Sequence, residues 1–258
     1  MSDGGVIGKL ARGLAEPRGV NSAWVGANDP AIADALAREG FDAVTLDLQH
    51  GGVDFIGANQ AILAVALAGK PTLARIPLGD FALASRLIDA GAAAIIAPMI
   101  ADAAEARRLV EFVKYPPLGA RSWGPRAALA LSGYVGPAYL HSANATTLAI
   151  AMIETREALA SLDAILATPG LDGVFVGPSD LSIALHRGAA LDPHGGEVDR
   201  ALTEITARAA AHGKFAGLFC RDGRDAKAAA ARGFALRSVS TDLNLLRAAA
   251  RAELAALR

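Results

Sequence analysis

Residues 172–181 read DGVFVGPSDL, a short apolar run that passes through a glycine and a proline into a polar segment. The apolar part, residues 173–176, lacks the polar alternation of a half-exposed strand, so it is typical of a parallel strand buried on both faces. A strand end therefore stands directly before a helix start, and the stretch predicts one βα unit.

Units of the same kind recur along the chain as Val-, Ile- and Leu-rich runs followed by Ala-rich segments with charges at helical spacing. The predicted strands cover residues 23–27, 43–48, 72–76, 94–98, 147–153, 173–176, 215–219 and 236–240, and helical segments such as 30–38, 101–114 and 224–232 follow them. Eight consecutive βα units in about 250 residues predict an α/β fold of the TIM (β/α)8 barrel type. A doubly wound open sheet usually has fewer strands. We expect a single domain over residues 1–258.

Two segments depart from this repeat. Glycines and prolines interrupt residues 115–139, which predicts a long loop after the fourth strand. Loops of this length are usually functional, and the alternative is a solvated insertion. Residues 241–257 predict a C-terminal helix.

The composition excludes several classes of partner. Hydrophobic residues make up 53% of the 258 positions, and 25 Lys and Arg nearly balance 26 Asp and Glu. Because this balance lacks the positive charge that nucleic acids and anionic membranes attract, we expect neither partner. The single Cys220 excludes an internal disulfide, and charges scattered through residues 1–20 interrupt any signal peptide, so we expect the cytoplasm.

The chemistry of a TIM barrel lies at the carboxyl ends of its strands, so polar residues there are candidates for the site. His50 follows the second strand, Arg75 lies at the end of the third, Glu154 follows the fifth and Asp180 follows the sixth. We expect these four side chains to converge at one mouth of the barrel.

Glu154 and Asp180 close neighbouring strands, where two crowded carboxylates would repel each other without a cation. The predicted cofactor is a divalent cation, Mg²⁺ or Mn²⁺ in the first place, with Co²⁺, Ni²⁺ and Zn²⁺ as alternatives. Its open positions would take the carboxylate and ketone oxygens of a 2-oxo acid. The competing interpretation is that each carboxylate caps the helix after it.

The remaining candidates suit proton transfer and charge stabilisation. His50 fits proton transfer because imidazole titrates near neutral pH. Arg75 would stabilise negative charge on a substrate oxygen, unless it only forms a salt bridge to Asp47 or Asp80. Backbone N–H groups at the helix start in residues 177–181 favour a substrate carboxylate. No lysine lies at the carboxyl end of a predicted strand, which disfavours a Schiff-base mechanism.

Several longer motifs are shared with one enzyme family. They are DLQH at 47–50, ARIP at 74–77, LIDAG at 87–91, PM at 98–99, YPPLGAR at 115–121, IETREA at 153–158 and DGVFVGPSDLS at 172–182. Over nearly its whole length the chain resembles the class II pyruvate aldolases of the 4-hydroxy-2-oxoheptanedioate aldolase family, which includes 2-keto-3-deoxy-sugar acid aldolases.

The resemblance implies a metal on Glu154 and Asp180, His50 as general base and Arg75 as the group that stabilises the enolate. It also implies that Asp89 raises the basicity of the catalytic histidine, with a contact across a subunit boundary as one option. The backbone N–H groups of Ser179 and Asp180 would receive the substrate carboxylate.

The same resemblance implies a homohexamer, a trimer of dimers or a dimer of trimers, in which the C-terminal helix packs on a neighbour. An apolar stripe suits that packing and consists of Leu243, Leu246, Ala250, Leu254 and Leu257. Spacing alone equally allows the helix to cover its own barrel.

Two residues depart from the family pattern. Met152 stands where a substrate-contacting Gln is usual, and Gln49 stands where Glu usually precedes the histidine. Both changes bear on substrate preference, and they lead us to consider hydroxypyruvate beside pyruvate.

The predicted reaction is the reversible aldol addition of pyruvate or hydroxypyruvate to an aldehyde, giving a 4-hydroxy-2-oxo acid. We expect the aldehyde to lie beneath the 115–139 loop, near Arg121, Trp123 and Arg126. The alternatives are a citryl- or malyl-coenzyme A-type lyase, a sugar-phosphate isomerase and a non-catalytic metabolite-binding barrel.

Overall fold

The computed structural model describes residues 4–257. Their eight strands are all parallel, pair in chain order and close into a barrel. The strands are β1 (Val20–Val25), β2 (Ala43–Asp47), β3 (Thr72–Arg75), β4 (Ala94–Ala97), β5 (Leu148–Met152), β6 (Gly173–Val176), β7 (Phe215–Cys220) and β8 (Leu236–Val239). The predicted TIM barrel is therefore confirmed.

Thirteen helices are found within residues 4–257. They are α1 (Gly5–Ala15), α2 (Pro30–Arg38), α3 (Phe55–Leu67), α4 (Phe81–Asp89), α5 (Ala103–Val113), α6 (Arg126–Ser132), α7 (Gly136–Thr146), α8 (Arg156–Ala160), α9 (Leu162–Leu166), α10 (Pro178–Leu185), α11 (Gly196–Ala211), α12 (Gly223–Ala231) and α13 (Asp242–Ala256). None of these helices has both the length and the apolar character needed to cross a membrane. The single-domain prediction, which runs from 1 to 258, includes residues 1–3 and 258 outside the described part.

Many helices begin at a side chain that accepts a backbone N–H of the first turn. Asp54, Asp80 and Asp102 cap α3, α4 and α5 in this way. Such caps satisfy donors that have no partner inside the helix. They help the loops after β2, β3 and β4 to turn into helices at the carboxyl end of the barrel.

The apolar core has two parts. One part fills the space between the strands and the surrounding helices and includes Val44, Leu87 and Val174. The other lies inside the barrel and continues to Ile7 and Leu10 of α1. Because side chains alternate along each strand, one set of positions faces the helices and the other faces the barrel axis.

The segment 115–139 was predicted as a loop after the fourth strand. In the structure it comes after α5. That helix returns the chain to the amino end of the barrel, so the segment lies opposite the carboxyl ends of the strands. Much of it is also helical, since α6 and the start of α7 fall inside it. The helix predicted at 101–114 already provides this return path, and the prediction of one long loop was wrong because α6 and the start of α7 interrupt it.

Candidate active site

A cavity of about 190 Å³ opens at the carboxyl ends of the strands. Its walls include five residues predicted for the site, namely Arg75, Met152, Glu154, Ser179 and Asp180. The other lining residues are Trp24, Asp47, Phe175, Gly177, Pro178, Phe219 and Thr241. The structure thus brings most of the predicted polar groups together and surrounds them with aromatic and apolar surface.

Arg75 is held by a bidentate ion pair with Asp47. Their Cα atoms are partners in the β2–β3 register, and Arg75 Nε and Nη2 lie 2.9 and 2.7 Å from the two carboxylate oxygens of Asp47. Burial acts to raise the pKa of Asp47, but the hydrogen bonds and charge of Arg75 outweigh it and the pKa is lowered. Arg75 therefore forms the salt bridge to Asp47 and not to Asp80, and this pair orients the guanidinium in the cavity wall, where it can also meet a substrate.

Trp24 forms an aromatic wall that fixes this pair from β1. Its indole N–H donates to Asp47 Oδ2 at 3.1 Å, and the Arg75 guanidinium lies 4.9 Å from its ring centroid. Phe175 stacks on Trp24 at 5.9 Å, and Phe219 meets it edge-on at 5.5 Å. The low-dielectric surface strengthens any charge interaction made by Arg75 in the cavity.

Glu154 is the buried carboxylate of the site. Only 2% of the residue is exposed, and its Oε2 accepts the N–H of Met99 at 3.2 Å, whereas Oε1 has no hydrogen-bond partner among residues 4–257. Burial raises the pKa of Glu154 to about 7; the Met99 N–H opposes that shift and the negative charge of Asp180 adds to it. A buried carboxylate oxygen without a donor is suited to bind a proton or a cation.

The backbone around Glu154 leaves room for the carboxylate. A Cβ placed on Gly177 would collide with Glu154 Oε1 and lie 3.3 Å from the Met152 methyl carbon. Met99 adopts a left-handed φ of 56°, a conformation that is uncommon for a non-glycine residue and often found at functional sites. Sequence reasoning identified the carboxylate but not this backbone arrangement.

Ser179 and Asp180 lie in the first turn of α10, directly after β6. Pro178 occupies the start of that helix, and no side chain caps it. The free N–H groups of the first turn can therefore bind an anion such as a carboxylate. The Asp180 side chain is exposed and close enough to Glu154 to influence its pKa.

The donor set fits an open divalent cation site. Within residues 4–257 no cluster of three or more His, Cys, Asp or Glu side chains could hold a metal. Two carboxylates, one with a buried oxygen that lacks a donor, match a hard cation such as Mg²⁺ that takes few protein ligands and leaves positions for water and substrate. Glu154 and Asp180 are the residues that could hold it.

His50 and Asp89 are not part of the cavity wall. His50 is exposed on the loop after β2, at the same end of the barrel, and its backbone N–H donates to Asp47 Oδ1 at 3.2 Å. Asp89 is the last residue of α4 and lies at the amino end of the barrel. The two residues stand at opposite ends of one protomer, so Asp89 could approach His50 only in another copy.

The residues expected to hold an aldehyde lie with Asp89 at the amino end. Arg121 is 4% exposed, its guanidinium carbon lies 3.9 Å from the Tyr115 ring centroid, and its Nη2 donates to the Tyr139 hydroxyl at 3.2 Å. Trp123 is half-exposed beside the same two tyrosines. Arg126 begins α6. Their predicted contact with an aldehyde in the same barrel was wrong because α5 carries them away from the cavity.

Sequence reasoning missed Trp24 and the backbone of Met99, and it considered Asp47 only as a competing partner of Arg75. Trp24 lies within a predicted apolar strand, so its indole N–H gave no polar signal. Asp47 could have been found from the strand ends, because it immediately precedes the loop of His50 and lies on the strand next to Arg75.

Comparisons with known proteins identify the family of the chain. A family model described as HpcH/HpaI aldolase/citrate lyase matches residues 22–249. A protein of Rhizorhabdus wittichii named hydroxypyruvate/pyruvate aldolase is 40% identical over 94% of this chain and 96% of its own length. One of the same name from Pseudomonas aeruginosa is 38% identical over 86% of this chain and 82% of its own. The crystal structure of an HpcH/HpaI aldolase/citrate lyase family protein from Burkholderia cenocepacia superposes with a TM-score of 0.88 at 29% identity, covering 97% of this chain and 99% of that one.

Proposed function

The chain belongs to the HpcH/HpaI aldolase/citrate lyase family and is an aldolase, a carbon–carbon lyase, and we propose that pyruvate or hydroxypyruvate is its donor. In the cleavage direction the substrate is a 4-hydroxy-2-oxo acid. Its C4 hydroxyl loses a proton, the C3–C4 bond breaks, an aldehyde leaves, and the remaining enolate takes a proton at C3.

The observation that carries this proposal is the buried Arg75 guanidinium in one cavity with the Glu154 and Asp180 carboxylates. An always-charged donor, fixed by Asp47 and shielded by Trp24, can stabilise the oxygen on which negative charge develops. The first-turn N–H groups at Ser179 and Asp180 would bind the substrate carboxylate beside it. Met152 would form the apolar surface next to the reacting carbons.

Glu154 and Asp180 would hold a divalent cation, a dependence that is general in this family. Mg²⁺ and Mn²⁺ fit two carboxylates best, with Co²⁺, Ni²⁺ and Zn²⁺ as alternatives. When bound, the cation supplies Lewis-acid stabilisation of negative charge on substrate oxygens. The buried Oε1 of Glu154, which lacks a donor, supports this assignment.

His50 would be the general base that takes the hydroxyl proton, directly or through a water molecule. Its support is positional, since the β2–α3 loop lies at the same end of the barrel as the cavity and is fixed to Asp47 by two backbone N–H groups. Asp89 would raise the basicity of His50 in a neighbouring copy, because the two residues lie at opposite ends of one barrel.

The protein would form a homo-oligomer in which α13 packs on a neighbour. The resemblance to its family implies that this homo-oligomer is a hexamer. Asp242 is the one buried residue of α13, and Leu243, Leu246, Leu254 and Leu257 are all more than half-exposed. A cavity of about 390 Å³ beside β1 and β8 is lined by Phe41, Ala226 and Val239 and offers a surface where a helix can dock. The single-domain organisation and the cytoplasmic location stay predictions.

The decisive experiment measures pyruvate or hydroxypyruvate release from 4-hydroxy-2-oxo acids, with and without a chelator, for wild type and two variants. We expect chelator-sensitive cleavage that falls about 10²- to 10⁴-fold in H50A and about 10²- to 10³-fold in R75A. R38A serves as the control, because Arg38 forms only an exposed ion pair with Asp34. Full activity in H50A and R75A with metal present would contradict the assigned roles, and binding of coenzyme A in a titration would favour the thioester lyase.

A further inference from the structure

The first turn of α13 is connected to the loop of His50 by a chain of hydrogen bonds. We propose that Asp242 is a positioning residue for the aldolase reaction, because its carboxylate anchors the β1–α2 loop against which the His50 loop is seated. This inference rests on the proposed role of His50 and adds the residue that holds its loop in place.

The Asp242 carboxylate is 6% exposed and accepts three backbone N–H groups. Its Oδ2 lies 3.1 Å from Gly26 N and 2.8 Å from Ala27 N, and its Oδ1 lies 2.8 Å from Leu243 N. No ion pair of Asp242 is found among residues 4–257. The charge is therefore satisfied by the loop after β1 and by the amino end of α13, and two of its three donors belong to the loop.

The β1–α2 loop in turn supports the loop that follows β2. Gly26 O accepts the N–H of Gly52 at 2.8 Å, and a Cβ on Gly51 would lie 2.7 Å from Gly26 O. The two loops thus touch backbone to backbone, next to His50. On its other side His50 is fixed by its own N–H to Asp47. The imidazole position consequently depends on two anchors, Asp47 and the loop held by Asp242.

Asp242 also lies beside the cavity without lining it. Thr241 precedes it and is part of the cavity wall, and Ser240 turns the chain out of β8 with a left-handed φ of 60°. Within α13 Asp242 alone is buried, so the loop contact is the main attachment of this helix to its own barrel. Loss of the contact would free the His50 loop but leave Arg75, Glu154 and Asp180 in place.

Two reactions that pass through the same pyruvate enolate would distinguish this role from a structural one. Retro-aldol cleavage requires a base for the hydroxyl proton. Decarboxylation of oxaloacetate breaks the bond to its C4 carboxylate, releases CO₂ and forms the same pyruvate enolate without removing a hydroxyl proton. The ratio of the two rates therefore reports on the base, and a change in the folded fraction cancels from it.

The test compares D242N with D222N in the full-length protein. Asp222 is a matched control because its carboxylate also accepts two backbone N–H groups at a helix start, those of Arg224 and Asp225, on the loop after β7. We expect D242N to lower retro-aldol kcat about 10- to 100-fold, with the KM of the oxo acid and the decarboxylation rate changed less than about 2-fold. H50A should show the same split, and D222N should keep the wild-type ratio.

An equal loss of both reactions in D242N, or a wild-type ratio in D242N, would overturn the inference. The proposed function would instead be overturned if H50A kept the wild-type ratio of the two rates, or if the wild-type protein catalysed neither reaction. Should D242N fail to fold, D242S, whose hydroxyl can still accept one loop N–H, is measured in the same way with the same expected split.

Discussion

At the scale of single residues, Asp89 combines a cost in stability with a proposed role in activity. Burial raises its pKa to about 6 although Arg121 and Arg126 act in the opposite direction, and its Oδ1 has no partner among residues 4–257. An unfolded aspartate titrates near 4. The folded protein therefore binds this proton more tightly than the unfolded chain, and the contribution of this one carboxyl to stability is most favourable below pH 4 and is lost as the pH rises through about 6.

We expect D89N to remove this contribution to the pH dependence. At pH 7 the variant should be more stable than wild type by about 1 kcal/mol, a value reduced for the solvent screening of a half-buried group. Urea unfolding at pH 4 to 7 measures it, with D80N as control because Asp80 caps the same helix and Asn caps equally well. A D89N variant that is more stable but has lower retro-aldol kcat would support a role on a neighbouring His50. If D89N and wild type had the same dependence of stability on pH, the raised pKa of Asp89 would be contradicted.

At the scale of elements, Gly177 lets β6 and α10 approach Glu154, the proposed metal ligand. We expect G177A to displace Glu154, because the added methyl group would collide with Oε1. Metal affinity and cleavage should both fall, the latter by about 10²-fold, since small displacements of a reacting group cost that much. Metal titration by calorimetry and by activity measures the change.

Gly223 provides the matched control for this substitution. It begins α12 after β7, and a Cβ there meets nothing within 4 Å. We expect G223A to retain activity and to be neutral or more stable, by up to about 1 kcal/mol. Equal metal affinity in G177A and wild type would show that Glu154 does not need this space.

The elements also show how far the sequence could predict the structure. The buried strands were predictable from their continuous apolar runs. The start of β1 was not: the strand begins at Val20, and the prediction began at residue 23 because it took the polar Ser22 as lying outside the strand, although Ser22 is buried within it. There its hydroxyl lies 2.7 Å from that of Thr45, a polar contact that gives no apolar signal. The start of α7 was missed because Pro137 suggests a loop, although proline is tolerated in the first turn of a helix.

The candidate site was predictable where a single strand end determined it. Arg75, Glu154 and Asp180 came from that rule and line one cavity. What depends on several elements was out of reach, such as the Met99 N–H on Glu154 and the position of Asp89 at the far end of the barrel. The distance between two loops is set by the path of the helix that connects them, and a local sequence pattern does not reveal that path.

At the scale of the whole molecule, α13 is the element proposed to pack on a neighbour, because its own barrel leaves its leucines exposed. Leu246 is 65% exposed, and full burial of a leucine contributes about 1.5–3 kcal/mol. We therefore expect wild type to have a solution mass that is a multiple of 26.3 kDa, and L246E to shift it to a smaller species in light scattering. The control is A252E, which adds the same charge on the opposite side of the helix and should keep the wild-type mass. Retention of that mass in L246E would mean that a surface other than α13 holds the copies together. The surface around Asp89, which is proposed to meet His50 of a neighbouring copy, would then be the next one to test by substitution.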